Sequence, residues 1–153
     1  MIKVLFVCTG NICRSPTAEG VLRHLADAAG LSDYFMIDSA GIQAFHAGEV
    51  PDARSIKTAK KRGVCLKDQT ARALAQDDFE NFDHIYAMDH GHFTHMRNKA
   101  PDVFAEKITL FLPGQDVPDP WYGNDAGFDK VYELIDKGAA AILAALRKEH
   151  NLP

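Results

Sequence analysis

The chain has 153 residues, of which 46% are hydrophobic, so we expect residues 1–153 to form one globular domain with an ordinary core. Its formal net charge of -4 argues against general nucleic-acid binding, which favours a basic surface. No apolar run approaches the roughly 20 residues of a membrane-spanning helix, and the N-terminal apolar stretch is too short for a signal peptide. Three cysteines without the spacing of a disulfide scaffold predict a reducing, cytoplasmic compartment.

The first part of the chain alternates between strand and helix patterns. The apolar run of residues 2–7 is typical of a buried strand, and residues 16–29 carry an apolar stripe at helical spacing. Pro16 suits the first turn of that helix, and Gly30 suits its end. A short second strand is predicted over residues 34–39.

The rest of the chain continues the alternation. In chain order, the predicted elements are a loop over residues 41–50, a helix from Asp52 to near Gly63, a helical turn over 77–82, a strand over 84–88, a helix over 90–99, a strand over 107–111, a long loop over 112–124 and a helix over 125–150. The basic residues within 57–62 are interpreted as a solvated helix face. Because strand and helix alternate, we expect an α/β fold whose parallel sheet is covered by helices on both faces. Ligands of such sheets bind beyond the carboxyl ends of the strands.

The segment Cys-Thr-Gly-Asn-Ile-Cys-Arg-Ser, residues 8–15, joins the first strand to the first helix. A turn into a helix N-terminus directs backbone N–H groups inward and forms an anion pocket. Cys8 lies at the end of the strand, and a cysteine in such a pocket acts as a thiolate nucleophile. The planar guanidinium of Arg14 can hold two phosphoryl oxygens at once. We expect the loop N–H groups, Arg14 and the Ser15 hydroxyl to stabilise the thiolate.

Other residues of this segment have structural interpretations. Gly10 permits close backbone approach, and Asn11 tolerates a left-handed conformation. Cys13 has two interpretations that the sequence leaves open, namely a packing residue and a thiol that forms a reversible disulfide with oxidised Cys8. Cys65 is predicted to be a structural residue.

The three histidines at positions 90, 92 and 95 suggest a metal site only at first sight. On a helix, His92 and His95 share a face, whereas His90 and His92 do not. Three imidazoles would have to converge on one ion. We therefore predict no metal here and interpret the histidines as the exposed start of a helix.

Two motifs resemble the low-molecular-weight protein tyrosine phosphatase family. The family signature V-C-x-G-N-x-C-R-S-P matches residues 7–16, and its Asp-Pro followed by aromatics matches residues 119–122. Residues 38–41 and 87–89 also look similar. The resemblance covers essentially the whole chain. It implies a three-layer α/β fold of flavodoxin-like, phosphotyrosine phosphatase I-like topology, with a four-stranded parallel sheet and without a metal or organic cofactor.

The resemblance also implies roles for individual residues. Cys8 would be the nucleophile, Arg14 the phosphate clamp and Asp119 the general acid. We expect burial beside apolar Trp121, and a nearby phosphate dianion, to raise the pKa of Asp119. The residues that would bind phosphate or support the loop are Thr9, Gly10, Asn11, Ile12, Cys13, Ser15, Ser39 and Asp89. Ser39 would brace the loop through Asn11, and Asp89 would hold Arg14. The aromatic residues that would line the substrate cleft are Phe45, Trp121 and Tyr122.

The chain departs from the family pattern at Gln69, where many relatives have histidine, and this puts one loop-bracing contact in doubt. The implied activity is hydrolysis of protein phosphotyrosine, and of small aryl phosphates, through a phosphocysteine intermediate. Phosphotyrosine proteins would be the partners and inorganic phosphate the product, with no nucleic acid, no membrane insertion and a monomeric state. Asp119 alone also suits a plain turn between two prolines.

Two other functions compete with this interpretation. A thiol-dependent arsenate reductase on the same fold would need further cysteines downstream of Cys8 and Cys13, and only Cys65 remains. The other competitor is a non-catalytic phosphotyrosine-binding or redox-sensing module, and the intact set of nucleophile, arginine and acid argues against it. The physiological substrate is not specified by the sequence.

Overall fold

The fold is a parallel sheet between two layers of helices, as seen in a computed structural model that describes residues 1–153. The strands are β1 (Ile2–Cys8), β2 (Phe35–Gly41), β3 (His84–Ala87) and β4 (Ile108–Leu110). Their order is β2-β1-β3-β4, and each neighbouring pair is parallel. The predicted fold class, a four-stranded parallel sheet flanked by helices, is therefore confirmed.

Five α-helices connect and follow the strands. They are α1 (Arg14–Ala28), α2 (Ala53–Lys60), α3 (Asp78–Asn81), α4 (His90–Lys99) and α5 (Asp125–Glu149). Short 3-10 turns span Ser32–Tyr34 and Asp102–Lys107. None of the helices is both long and apolar enough to span a membrane.

The element boundaries differ from the predicted ones by a few residues. Helix α1 begins at Arg14 rather than Pro16, because proline fits anywhere in a first turn where backbone N–H groups lack helical partners. Helix α2 ends at Lys60, and a turn then continues to Gly63, whose φ of 79° requires glycine.

Strand β1 is the centre of the molecule and is covered on both faces. Val4 and Phe6 belong to the larger apolar cluster, with side chains of α1 and α5, whereas Leu5 and Val7 belong to a second cluster with side chains of α4. This alternation is the period of a strand. It also places Cys8, the last residue of β1, on the same face as α1.

The basic surface predicted as a solvated helix face is partly paired. Lys57 lies 3.5 Å from Asp125, and both Lys61 and Arg62 lie within 3.1 Å of Asp129. These residues join α2 and the turn after it to α5. Because the pairs are exposed, each contributes little stability.

Helix α5 passes very close to the chain that follows β4. A methyl group added at Gly138 would lie 2.3 Å from Cε2 of Phe111 and 2.9 Å from Cδ2 of Leu112. Phe111 cannot move aside easily, because it is buried and its ring packs edge-on against the ring of Phe6, with the two ring centroids 5.7 Å apart. The approach of α5 to the sheet therefore depends on glycine at position 138.

A buried carboxyl group lies between α1 and β2. Glu19 is 4% exposed, and its Oε1 accepts a hydrogen bond of 2.7 Å from the Ser39 hydroxyl. Its other oxygen pairs with Arg23, whose side chain is half exposed. Burial outweighs these partners and raises the pKa of Glu19 to about 7.

We expect Gly138→Ala to destabilise the protein by about 1–3 kcal/mol, because the new methyl group overpacks the contact with Phe111. Gly127→Ala is the matched control in the same helix. A methyl group there meets only Asn124 Oδ1, at 4.0 Å, so alanine should stabilise by up to about 1 kcal/mol. Urea unfolding measures both changes. A Gly138→Ala protein as stable as the wild type would show that α5 can retreat freely.

We expect the stability of the wild type relative to Glu19→Gln to fall as pH rises from about 4.5 to about 7, and to be constant above that. The sign follows because the folded state holds the Glu19 proton to higher pH than the unfolded chain does. The total change should be about 3 kcal/mol. Urea unfolding at a series of pH values gives the difference. A difference that does not vary with pH would contradict the burial of an ionisable carboxyl group.

Candidate active site

The loop of residues 8–15 is fixed by the side chain of Asn11. Asn11 is 2% exposed and has a φ of 58°, the left-handed conformation expected for it. Its Nδ2 donates to the hydroxyl oxygens of Ser15 and Ser39, both at 2.8 Å, and its Oδ1 accepts from the backbone N–H of Arg72 at 3.0 Å. The contact implied between Asn11 and Ser39 is thus present, and the loop is tied to β2.

The sulfur of Cys8 lies in the floor of this loop. Cys8 is 3% exposed, and its Sγ lies 2.9 Å from the hydroxyl oxygen of Ser15. Asn11 donates to that same oxygen, and the other acceptor for the hydroxyl proton of Ser15, the carbonyl oxygen of Ala40, is more distant at 3.5 Å, so the proton can point at the sulfur. A hydroxyl that donates to sulfur, together with the N-terminus of α1, stabilises a thiolate.

Arg14 is held from behind by two acceptors. Its Nη1 donates to Asp89 Oδ2 and to the carbonyl oxygen of Val117, each at 2.9 Å. Its Nη2 lies 3.4 Å from Thr9 Oγ1 and 3.6 Å from Asp119 Oδ2. The guanidinium is 4% exposed and has a fixed plane.

Asp89 remains ionised in spite of its partial burial. Burial alone would raise its pKa, but the backbone N–H of His92 and the guanidinium of Arg14 lower the pKa below its ordinary value. A full negative charge is therefore available to orient Arg14.

A cavity of about 250 Å³ opens above the sulfur. Its lining residues are Cys8, Thr9, Gly10, Ile12, Cys13, Arg14, Gln43, Phe45, His46, Asp119, Trp121 and Tyr122. The structure thus brings the nucleophile, clamp and acid implied by the resemblance to one cavity. Phe45, Trp121 and Tyr122 lie at its mouth, where Phe45 is 83% and Tyr122 is 91% exposed.

The expected burial of Asp119 is wrong. Its side chain is 41% exposed, because the loop that carries it lies at the open mouth of the cavity and no element covers it. Oδ1 of Asp119 accepts the backbone N–H of Trp121 at 3.0 Å, and Oδ2 faces Arg14. One oxygen is therefore fixed by the loop while the other faces the cavity.

The three cysteines are all free and have different environments. Cys13 is buried in a small cluster with Ile12, Ala71 and Phe128. Burial, and next the charge of Asp52, raise the pKa of Cys13 to about 12, so its thiol is protonated. This environment supports packing as its role. Cys65, which was predicted to be structural, is exposed, because it follows the turn after α2.

Gln69 supports the beginning of α1. It is 8% exposed, and its Nε2 donates to the carbonyl oxygen of Pro16 at 2.9 Å. Its Oε1 is buried without a partner. The glutamine thus makes one bracing contact, to the first turn of the helix rather than to the loop itself.

His92 is the main residue that the sequence interpretation misplaced. It was expected on an exposed helix start, yet it is 2% exposed, and its Nε2 lies 2.8 Å from Thr9 Oγ1. The reason is that Asp89 caps α4 by accepting the N–H of His92, which turns this residue toward the loop. An aspartate at the end of β3, three residues before a histidine, was the available signal.

Two further groups were not identified from the sequence. Arg72 is paired with Asp38 and Asp78 beside the loop of residues 8–15. His46 lines the cavity, and its Nδ1 lies 2.9 Å from Glu49 Oε2. Their signals were weak, because an arginine or a histidine in a loop is commonly solvated.

One group of potential metal ligands lies far from this cavity. His84 begins β3 at the amino end of the parallel strands, whereas Cys8 lies at their carboxyl end. Nε2 of His84 lies 3.0 Å from Nε2 of His150, with Glu149 beside them. The ring centroids are 5.3 Å apart. At that separation the two nitrogens point straight at each other, which is the geometry of a direct hydrogen bond rather than of two ligands converging on an ion.

Comparisons with known proteins agree with this geometry. Residues 3–152 match the family model described as low molecular weight phosphotyrosine protein phosphatase. A protein of that name in Schizosaccharomyces pombe is 44% identical over 88% of this chain and 91% of its own length. A solved protein tyrosine phosphatase from Entamoeba histolytica has a TM-score of 0.94 and 33% identity, covering 98% of this chain and 99% of that chain.

A further solved structure is Wzb from Vibrio vulnificus in complex with benzylphosphonate. It has a TM-score of 0.82 and 34% identity, covering 92% of this chain and 95% of that chain. The family model, which matches residues 3–152, includes the sheet, the loop of residues 8–15 and the segment that carries Asp119. The chain therefore belongs to the low molecular weight phosphotyrosine protein phosphatase family.

Proposed function

We propose that this chain hydrolyses phosphotyrosine in proteins through a phosphocysteine intermediate, with Cys8 as nucleophile, Arg14 as phosphate clamp and Asp119 as general acid and base. One observation carries the proposal. The sulfur of Cys8, with the Ser15 hydroxyl 2.9 Å away, shares a cavity with Arg14 and Asp119. These are the groups needed to attack phosphorus, to hold its oxygens and to protonate a leaving oxygen.

In the first step, the thiolate of Cys8 attacks phosphorus in line with the phenolic oxygen. A sulfur–phosphorus bond forms, the phosphorus–oxygen bond breaks, and Asp119 gives its proton to the leaving phenolate. Arg14 and the loop N–H groups stabilise the equatorial oxygens. The phosphoryl group also binds Nη2 of Arg14, which Asp119 Oδ2 approaches at 3.6 Å. That exchange frees Asp119 to carry its proton.

In the second step, Asp119 acts as a base. Its carboxylate takes a proton from water, the water oxygen attacks phosphorus, and the sulfur–phosphorus bond breaks. Inorganic phosphate leaves, and the Cys8 thiolate is restored. The exposure of Asp119 suits this step, because water reaches its free oxygen from the mouth of the cavity.

The depth of the cavity favours phosphotyrosine over phosphoserine. Cys8 is 3% exposed at the floor, whereas at the mouth Phe45 and Tyr122 are largely solvent-exposed and Trp121 is 38% exposed. A phenyl ring spans that depth and stacks against the aromatic side chains, chiefly Trp121. The shorter phosphoserine side chain would leave its phosphorus out of reach. Benzylphosphonate, the ligand of the Vibrio vulnificus relative, has the same ring-and-phosphoryl shape.

The competing functions have less support. An arsenate reductase would need another thiol near Cys8 and Cys13, but Cys65 is outside the cavity. A module that only binds phosphotyrosine would not need Asp119 at the mouth. We further propose phosphotyrosine proteins as partners, a monomeric state without membrane insertion or nucleic-acid binding, and a cytoplasmic location, which the three free thiols support.

We expect Cys8→Ser to abolish hydrolysis of an aryl phosphate while binding of inorganic phosphate persists, because the loop donors and Arg14 remain. Steady-state assays and calorimetric titration with phosphate measure the two properties. Cys65→Ser is the control and should match the wild type. Residual turnover by Cys8→Ser above the uncatalysed rate would refute the covalent mechanism.

We expect the effect of Asp119→Asn to depend on the leaving group. Hydrolysis of phenyl phosphate, whose phenol has a pKa of about 10, should slow by roughly 10²–10⁴. An ester of an acidic nitrophenol should slow much less, because its anion leaves without a proton. Asp116→Asn, in the same loop, is the control. An equal, small loss with both esters would reject the acid role of Asp119.

A further inference from the structure

We propose that His92 is a positioning residue, which holds the Arg14 guanidinium in its phosphate-binding orientation through Thr9 and Asp89. The proposal rests on the proposed function, since it assigns Arg14 to the phosphoryl group. His92 itself touches neither the cavity nor a substrate. It is 2% exposed and does not line the space above Cys8.

The four side chains form a closed ring of contacts. His92 Nε2 lies 2.8 Å from Thr9 Oγ1, and His92 Nδ1 lies 3.2 Å from Asp89 Oδ1. On the other side, Asp89 Oδ2 is 2.9 Å from Arg14 Nη1, and Thr9 Oγ1 is 3.4 Å from Arg14 Nη2. Each terminal nitrogen of Arg14 therefore faces a residue that His92 holds.

Asp89 selects the tautomer of His92. His92 Nδ1 lies 3.2 Å from Asp89 Oδ1 without forming a hydrogen bond, yet the carboxylate attracts a proton on Nδ1 and would repel a lone pair there. Nε2 then carries no proton and accepts the hydroxyl proton of Thr9 at 2.8 Å. A guanidinium can only donate, so Thr9 Oγ1 presents a lone pair to Arg14. The opposite tautomer would place a nitrogen lone pair against Asp89.

Burial, aided by the positive charge of Arg14, keeps His92 neutral, as this arrangement requires. The charged groups that face it are Arg14, Asp89, Asp119 and Asp116. Burial, and next the positive charge of Arg14, lower the pKa of His92 to about 4, against the opposing effect of the three carboxylates. A protonated imidazole would compete with Arg14 for Asp89 and could not accept from Thr9.

Of the two terminal nitrogens of Arg14, Nη2 depends more on the contacts that His92 fixes than Nη1 does. Nη1 has two acceptors at 2.9 Å, Asp89 and the carbonyl of Val117. Nη2 has only Thr9 at 3.4 Å, and Asp119 competes for it at 3.6 Å. If Thr9 were not fixed by His92, Nη2 could turn toward Asp119. If Arg14 rotated in this way, phosphate would bind more weakly, and the ion pair with Arg14 would also hold Asp119, the general acid, away from the leaving oxygen.

The test is a double-mutant cycle of His92→Leu and Thr9→Val, in which leucine fills the space but accepts no hydrogen bond. We expect each single variant to weaken inorganic phosphate binding, and to lower kcat/KM for an aryl phosphate, by about tenfold. The double variant should lose clearly less than the two single losses combined, because both substitutions break the contact between His92 and Thr9. His92→Gln, whose Oε1 can accept from Thr9, should recover most of the loss. His95→Leu, on the same helix, is the control.

Further outcomes separate positioning from mere stability. Losses that add in the double variant, or a His92→Leu protein with wild-type phosphate affinity and kcat/KM, would overturn the proposal, whatever the change in melting temperature. The phosphatase function would stand in that case. If the wild type bound phosphate but hydrolysed no ester, the double-mutant cycle measured by phosphate affinity would still test whether His92 positions Arg14. Nitrogen NMR should show the Nδ1–H tautomer of His92, and the Nε2–H tautomer would contradict the ring.

Discussion

The contact between the loop of residues 8–15 and the end of β2 is the constraint on which the site depends. A methyl group at Gly41 would lie 2.8 Å from the carbonyl oxygen of Thr9 and 3.0 Å from the backbone nitrogen of Asn11. Only glycine lets the loop lie directly on the strand. Asn11 then locks the loop through Ser39 and Arg72. With the loop fixed, the sulfur, the hydroxyl of Ser15 and the guanidinium acquire their positions together.

Behind that contact, polar side chains replace part of the apolar core. Glu19 accepts from Ser39, Ser39 accepts from Asn11, Asn11 also donates to Ser15, and Ser15 reaches the sulfur of Cys8. A buried chain of this kind is stable only when its members are satisfied. It also has a cost, since burial disfavours the ionised form of Glu19. The protein gives up some stability near neutral pH to keep an acceptor under the loop.

Sequence patterns predicted the parts of the molecule that are local along the chain. The fold followed from the alternation of strands and helices, and the positions of Cys8 and Arg14 followed from a strand, a loop and a helix in direct succession. The burial of His92 and the exposure of Asp119 were not predicted, because they depend on how α4 and the long loop meet the distant residue Arg14. Helical spacing places a residue on a face but does not tell what covers that face.

The central claim is that the phosphoryl group passes through the sulfur of Cys8. The most direct test mixes the Asp119→Asn variant with an acidic aryl phosphate and stops the reaction within one turnover in alkaline denaturant, where a sulfur–phosphorus bond survives. Mass spectrometry of the peptides then locates any added phosphoryl group. We predict one phosphoryl group on Cys8 that decays as inorganic phosphate appears. Phosphate release without a covalent adduct, or an adduct on another residue, would contradict the claim.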